Sequence, residues 1–120
     1  MEKLIVWHNP RCRKSREGLA MAEKIAKEKG LELEIRKYLE NPPTEEELRE
    51  VIKKMGIKPI ELVRKQESIW KENFKGKELT DDDIIRAMAQ YPKLIERPVV
   101  IYKDKAVLAR PADKVAELFQ

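Results

Sequence analysis

The sequence predicts an α/β fold, a four-stranded mixed sheet flanked by helices, with a helical insertion between the second and third strands. Three observations predict it. Within the first 38 residues, an apolar run, a helical pattern and an alternating run follow one another, as in a parallel βαβ unit. Helical patterns then occupy approximately residues 44–90. A hairpin pattern and a last helix close the chain.

The first half of the sheet is predicted from local patterns. Leu4–Trp7 is a short apolar run and predicts a strand. Ser15–Lys29 has apolar residues on one helical face, and Gly30 stands where a left-handed residue ends a helix. Alternating residues in Glu32–Tyr38 predict a second strand. The three elements are long enough for a right-handed crossover.

The middle of the chain is predicted to be helical. Thr44 and Thr80 are each followed three residues later by an acidic residue, which predicts two capping boxes. The first of these helices ends at Gly56, and the second ends before Pro92. Pro59–Lys65 predicts a short helix between them.

The end of the chain predicts a hairpin and a helix. Val99–Tyr102 and Ala106–Ala109 are strand-like, and Lys103–Lys105 is the predicted turn. A helix is expected from Pro111 or Ala112 to Phe119. We therefore expect residues 1–120 to form a single domain that carries an insertion at approximately 44–90.

Composition excludes several classes of protein. Hydrophobic residues are 42% and charged residues 40% of the 120 residues, as in a globular domain. The 26 basic residues are interspersed with 22 acidic ones, without a basic stripe, so no nucleic-acid partner is expected. No apolar run approaches the roughly 20 residues of a membrane span, and no membrane partner is expected. A single cysteine and the lack of a secretory signal predict a cytoplasmic protein.

The chemistry is predicted to centre on Cys12, the only cysteine. Asn9-Pro10 is a turn signal, so Cys12 lies between a strand and the start of a helix. Orphan amides at a helix N-terminus and nearby cations lower the pKa of a thiol. The alternative is a small buried residue, the usual environment of a free cysteine. The basic neighbours Arg11, Arg13, Lys14 and Arg16 favour the reactive thiol.

Two polar residues flank this cysteine. His8 is predicted to act as a cation or a hydrogen-bond donor that keeps Cys12 ionised, or otherwise to fix the turn. Ser15 occupies the position of the second thiol in a Cys-x-x-Cys motif. It could hydrogen-bond the thiolate or cap the helix. Any disulfide cycle must therefore take its second thiol from another molecule. One cysteine and one histidine cannot complete a zinc site, so no metal is expected.

Two Arg-Pro pairs bracket the hairpin. Arg97 precedes its first strand and Arg110 follows its second, so the two side chains should project near one another. Guanidinium groups bind oxyanions with two hydrogen bonds and stay charged. The alternative to oxyanion binding, which spacing alone favours equally, is that both arginines face solvent and pair with Glu96 or Asp113. If the hairpin packs antiparallel against the first strand, its open end lies beside Cys12.

Five segments together carry a family resemblance along essentially the whole chain. They are His8-Asn9-Pro10-x-Cys12-x-x-Ser15, Tyr38-Leu39-Glu40-Asn41-Pro42-Pro43, Leu62-Val63-Arg64-Lys65, Leu94-Ile95-Glu96-Arg97-Pro98-Val99-Val100 and Arg110-Pro111. In this order they resemble the glutaredoxin-coupled arsenate reductase family. The resemblance implies a thioredoxin- or glutaredoxin-like fold with a helical insertion, in agreement with the predicted layout.

The resemblance also implies a reaction. Cys12 would attack arsenate, or a similar oxyanion, and form a covalent thiol–arsenate adduct. Glutathione, as co-substrate, would then displace an oxygen, and glutaredoxin would reduce the mixed species and release arsenite. No tightly bound cofactor is implied. A cis bond between Arg97 and Pro98 is implied as well.

By the same resemblance, Arg64, Arg97 and Arg110 would hold the oxyanion. His8 would lower the pKa of the thiol, and Ser15 would support the thiolate. Arg64 comes from the resemblance alone, since spacing does not single it out.

At two positions the chain departs from the family pattern. Arg13 and Lys14 stand where the best-characterised branch has small neutral residues, and they would either strengthen anion binding or suit a glutathione carboxylate.

Two other functions are compatible with the sequence. One alternative is a glutathione-dependent thiol reductase with another substrate. The other is a regulatory binding protein of the Spx type, which Ser15 disfavours because those regulators often sense oxidation through Cys-x-x-Cys.

Overall fold

The computed structural model of the protein describes residues 2–120. The chain forms two compact units. One consists of the chain up to Asn41 together with Arg97–Gln120, and the other of Pro42–Glu96. The predicted helical insertion, approximately 44–90, lies within the second unit.

The first unit contains the sheet. Its strands are β1 (Lys3–His8), β2 (Glu32–Lys37), β3 (Val99–Tyr102) and β4 (Lys105–Leu108). Their order is β2-β1-β3-β4; β2 is parallel to β1, while β3 is antiparallel to both β1 and β4. The predicted four-stranded mixed sheet and its βαβ unit are confirmed.

Helix α1 (Arg13–Lys29) connects β1 and β2. It begins two residues earlier than predicted, because Cys12, in an extended conformation, is its N-cap. It ends as predicted at Gly30, whose φ of 67° lets its amide reach the last carbonyls. The core of this unit is a cluster of buried apolar residues from α1, the sheet and the C-terminal segment: Leu4, Val6, Ala22, Ile25, Ala26, Val100, Ala109, Val115 and Leu118.

The hairpin is tighter than predicted. Tyr102 pairs with Lys105, so only Lys103 and Asp104 form the turn. Lys103 has a φ of 54°, and positive φ in a two-residue turn matches the twist of the flanking strands. The predicted last helix is a 3₁₀ helix, Ala112–Phe119.

The second unit is helical. Its helices are α2 (Glu45–Met55), α3 (Ser68–Asn73) and α4 (Asp81–Gln90). Both predicted capping boxes form: the hydroxyls of Thr44 and Thr80 accept the amides of Glu47 and Asp83, whose carboxylates accept the cap amides in return.

The short helix between α2 and α3 covers fewer residues than predicted. It is a 3₁₀ helix over Pro59–Leu62 and does not reach Lys65. Val63 has an extended backbone and forms an isolated β-bridge with Ile95. The helix ends because Val63 pairs with a residue far along the chain. Local sequence does not reveal such a pairing. No helix within residues 2–120 combines the length and the apolar character needed to cross a membrane.

Candidate active site

Cys12 lies at the point where the chain leaves β1 and enters α1. Its amide donates to the Asn9 carbonyl at 3.0 Å, and the Asn9 side chain accepts the Arg11 amide at 3.1 Å. The Cys12 carbonyl in turn accepts the Arg16 amide at 3.0 Å and starts the helix. These bonds hold a partly exposed thiol at the N-terminus of α1.

Opposing effects act on the acidity of this thiol. Burial alone would raise the pKa of Cys12. The backbone amide of Ser15, the guanidinium of Arg97 and the backbone amide of Lys14 act the other way, and together they hold the pKa below its ordinary value. A thiolate is the nucleophilic form of cysteine, so the surroundings favour a reactive Cys12.

Arg97 reaches the thiol because of the sheet. β3 runs antiparallel to β1, and Trp7 pairs with Val99, so the residues before β3 lie beside those after β1. Arg97 is joined to Pro98 by a cis bond, as the resemblance implied. The predicted location of the hairpin's open end beside Cys12 therefore holds for Arg97.

Arg110 follows the other end of the hairpin. The Ala109 amide donates to the Pro98 carbonyl at 3.0 Å, so Arg110 comes directly after the residue that pairs with Pro98. It is partly buried, and its bond to Pro111 is also cis, which the sequence did not predict. The two arginines thus occupy neighbouring backbone positions. That their side chains project near one another stays a prediction.

His8 and Ser15 form a buried polar pair. The His8 Nδ1 atom and the Ser15 hydroxyl are hydrogen-bonded at 2.8 Å, and the hydroxyl also accepts the Asn9 amide at 2.9 Å. His8 is 5% exposed and Ser15 fully buried. The helix cap is Cys12 and not Ser15. The Ser15 side chain bonds His8 and the turn, whereas its backbone amide lowers the pKa of Cys12.

The surroundings of His8 disfavour the positively charged form of its ring. Burial lowers the pKa of the His8 ring, and the nearby positive charge of Lys37 lowers it further. The ring is therefore neutral near pH 7. The Ser15 hydroxyl joins His8 to the Asn9 amide, so these contacts favour the alternative in which His8 fixes the turn. An effect of His8 on the ionisation of Cys12 stays a prediction.

Arg64 belongs to the second compact unit. Its amide donates to the Leu94 carbonyl at 2.7 Å, and its guanidinium pairs with Glu67 at 2.9 Å and with Glu96 at 3.8 Å. The oxyanion-binding role that the resemblance implies for it remains a prediction.

Gly18 is a residue that the sequence reasoning missed. A Cβ built on it would overlap the Cγ atom of Pro98 and lie 3.4 Å from the Cβ atom of Ala109. Glycine inside a helix costs about 1 kcal/mol relative to alanine, so its presence in a regular helical pattern is a signal of close packing. Only glycine lets α1 approach the open end of the hairpin this closely.

Together, Cys12 and Arg97 provide a nucleophile and a fixed cation for an oxyanion. Within residues 2–120, no three His, Cys, Asp or Glu side chains are grouped so that they could hold a metal ion. Cys12 at the start of α1 and the guanidinium of Arg97 support the chemistry of a thiolate assisted by a cation and by helix amides.

The chain is similar to known proteins over nearly its full length. The ArsC family matches residues 7–118. The chain is 41% identical to YfgD, an uncharacterised protein of Escherichia coli K12, over 94% of this chain and 93% of that protein. It is 35% identical to the arsenate reductase of Neisseria meningitidis serogroup A, over 96% and 97%. A solved structure of an arsenate reductase from Vibrio cholerae matches with a TM-score of 0.86 and 37% identity, over 98% of each chain.

Proposed function

The chain belongs to the ArsC family, and we propose that it reduces arsenate to arsenite with glutathione and glutaredoxin as its reductants. Proteins named arsenate reductase align with nearly its full length. The observation that carries the proposal is the Cys12 thiol, with a lowered pKa, beside the Arg97 guanidinium. The reaction needs both a nucleophile and a cation for the oxyanion.

The proposed reaction passes through two As–S bonds. The Cys12 thiolate attacks the arsenic atom, an As–S bond forms and one oxygen leaves as water. Glutathione displaces a second oxygen in the same way. Glutaredoxin then attacks the glutathione sulfur, so the electron pair of that As–S bond stays on arsenic. Hydrolysis of the remaining As–S bond releases arsenite and restores Cys12. In total, arsenic gains two electrons and two thiols become one disulfide.

External thiols are required because Cys12 is the only cysteine and Ser15 stands at the usual place of a resolving thiol. Glutathione and glutaredoxin provide such thiols. Both work in a reducing compartment, and we propose the cytoplasm as the location.

The other residues of the site have assisting roles in this proposal. Arg97 and Arg110 bind the oxygens of arsenate, since guanidinium groups match tetrahedral oxyanions. Ser15 positions the thiolate through its amide. His8 is a positioning residue that acts through the Ser15 hydroxyl and does not touch the substrate.

The test is arsenate-dependent NADPH oxidation by the purified protein with glutathione, glutaredoxin and glutathione reductase. We expect turnover that requires arsenate and is abolished in Cys12→Ser. In the same assay, Arg64→Ala tests the arginine whose role comes from the resemblance alone, and Arg110→Ala tests the one that the hairpin spacing also singles out; each should raise the KM for arsenate.

Two results would replace the proposal. If arsenate is not turned over but Cys12 exchanges rapidly with glutathione disulfide, the protein is a glutathione-dependent thiol reductase with another substrate. If Cys12 is also unreactive, a regulatory binding protein of the Spx type becomes the better interpretation.

A further inference from the structure

The stretch of chain around Cys12 is strongly basic. The chain has 26 basic and 22 acidic residues, a formal net charge of +4. Residues 11–16 contain four basic residues and no acidic one, so basic and acidic residues are equal in number in the rest of the chain. We call Arg11, Arg13, Lys14 and Arg16 the basic collar. Their summed charge of +4 equals the formal net charge of the whole chain.

The collar is exposed and only partly neutralised. All four of its residues are solvent-exposed. Arg13 and Lys14 share one carboxylate, that of Glu17, at 3.2 and 3.9 Å. Arg16 donates to the Pro10 carbonyl at 2.9 Å, which fixes the side chain but leaves its charge in place. Each member lies within about one helical turn of Cys12 along the chain. A molecule approaching the thiol therefore meets a positive field.

From this placement we infer that the basic collar recruits anionic thiols and disulfides to Cys12 in preference to neutral or cationic ones. The recognition chemistry is simple: carboxylates of the approaching molecule meet exposed guanidinium and ammonium groups beside the reacting sulfur. The identity of the natural co-substrate as glutathione rests on the proposed function, but the charge preference of the thiol does not.

Glutathione fits this chemistry. It carries two carboxylates and one ammonium group, a net charge of about −1, and its disulfide carries about −2. Steering by the collar would raise its encounter rate with Cys12 most at low ionic strength, because exposed charges are screened over about 8 Å at physiological salt. Arg97, by contrast, interacts with the thiol itself. The collar therefore acts on the approach of the co-substrate, and Arg97 acts on the thiolate.

The experiment compares the rates at which three disulfides modify Cys12 in the full chain: glutathione disulfide, neutral bis(2-hydroxyethyl) disulfide and cationic cystamine. In each reaction the Cys12 thiolate attacks one sulfur, the S–S bond of the reagent breaks, and a thiolate leaves and takes up a proton. The mixed disulfide is followed by intact mass at one pH. Dividing each rate by that of the neutral reagent removes any change in thiolate fraction.

For Arg13→Gln/Lys14→Gln we expect the glutathione disulfide ratio to fall about 3- to 10-fold at low salt, and the cystamine ratio to rise. The control is Lys24→Gln/Lys27→Gln, which removes the same charge from α1 about 18 Å or more beyond Cys12. Its ratios should stay within about 1.5-fold of wild type. For wild type, 0.5 M salt should reduce the glutathione ratio as the collar substitution does.

The inference is overturned if the collar variant keeps the wild-type ratios, or if the control loses as much, since net charge and not position would then explain the preference. The result is independent of arsenate turnover. If the ratio depends on the collar but arsenate is not turned over, the proposed function is rejected and the recruiting role of the collar stands. If arsenate is turned over but the ratios do not change, the proposed function stands and the recruiting role of the collar is rejected.

Discussion

Gly18 of α1 lies directly against the ring of Pro98, with no room for a side chain between them. Cys12 caps the same helix, six residues earlier, and Arg97 immediately precedes Pro98. The contact therefore determines how closely the helix that presents the thiol approaches the backbone that presents the guanidinium.

We expect Gly18→Ala to weaken both the fold and the site. The proline ring cannot rotate away as a flexible side chain would, so overpacking should cost about 1–3 kcal/mol, offset in part by the gain in helix propensity of about 1 kcal/mol. Displacing Arg97 should raise the pKa of Cys12. Urea denaturation and thiolate absorbance at 240 nm measure the two effects. Lys24→Ala, on an exposed part of the same helix, is the control; equal behaviour of the two variants would contradict the packing argument.

Replacing Arg97 should make the thiol less acidic. Arg97→Gln removes a positive charge that lowers the pKa of Cys12, so that pKa should rise and the rate of alkylation by iodoacetamide at pH 7 should fall. Arg97→Lys keeps the charge but not the planar fork, and should restore acidity better than it restores arsenate binding. A thiol titration that Arg97→Gln leaves unchanged would show that the helix amides alone set the acidity.

Ser15→Ala should destabilise the loop before Cys12. The substitution removes a buried hydroxyl that pairs with His8 and accepts the Asn9 amide, and leaving buried groups unpaired costs about 1–3 kcal/mol. The Ser15 backbone amide, which acts on the thiol, is retained. Chemical denaturation should thus show a clear loss of stability with a smaller change in Cys12 reactivity. The opposite pattern would mean that the hydroxyl serves the thiolate directly.

His8 should make the protein less stable in acid. Burial and Lys37 hold the pKa of His8 below its ordinary value of about 6.5. The unfolded chain therefore binds the proton more readily, and the free energy of unfolding falls as the pH drops from about 6.5 toward the folded pKa. His8→Asn keeps a polar group near the Nδ1 position without this titration. Melting temperatures at pH 5 and pH 7 should differ less in the variant; an equal difference would assign the acid sensitivity to carboxylates.

Much of the fold could be predicted because it depends on neighbours in the chain. The capping boxes at Thr44 and Thr80 and the left-handed end of α1 at Gly30 involve residues within about one helical turn of each other. The location of Cys12 at a helix N-terminus follows in the same way from a strand, a turn and a helical pattern. The helix predicted over Pro59–Lys65 is shorter in the structure, because the pairing of Val63 with the distant Ile95 ends it at Leu62.

By itself, the sequence determined the order of strands and helices, the cysteine between β1 and α1, and the basic collar, because these are properties of adjacent residues. Only the tertiary structure decided that Arg97 lies beside a thiol 85 positions earlier in the chain, that His8 is buried and neutral, and that Gly18 contacts Pro98. The reason is physical: these relations depend on the antiparallel pairing of β1 with β3 and on the packing of α1 against the hairpin. Such contacts form only when distant segments exclude water together.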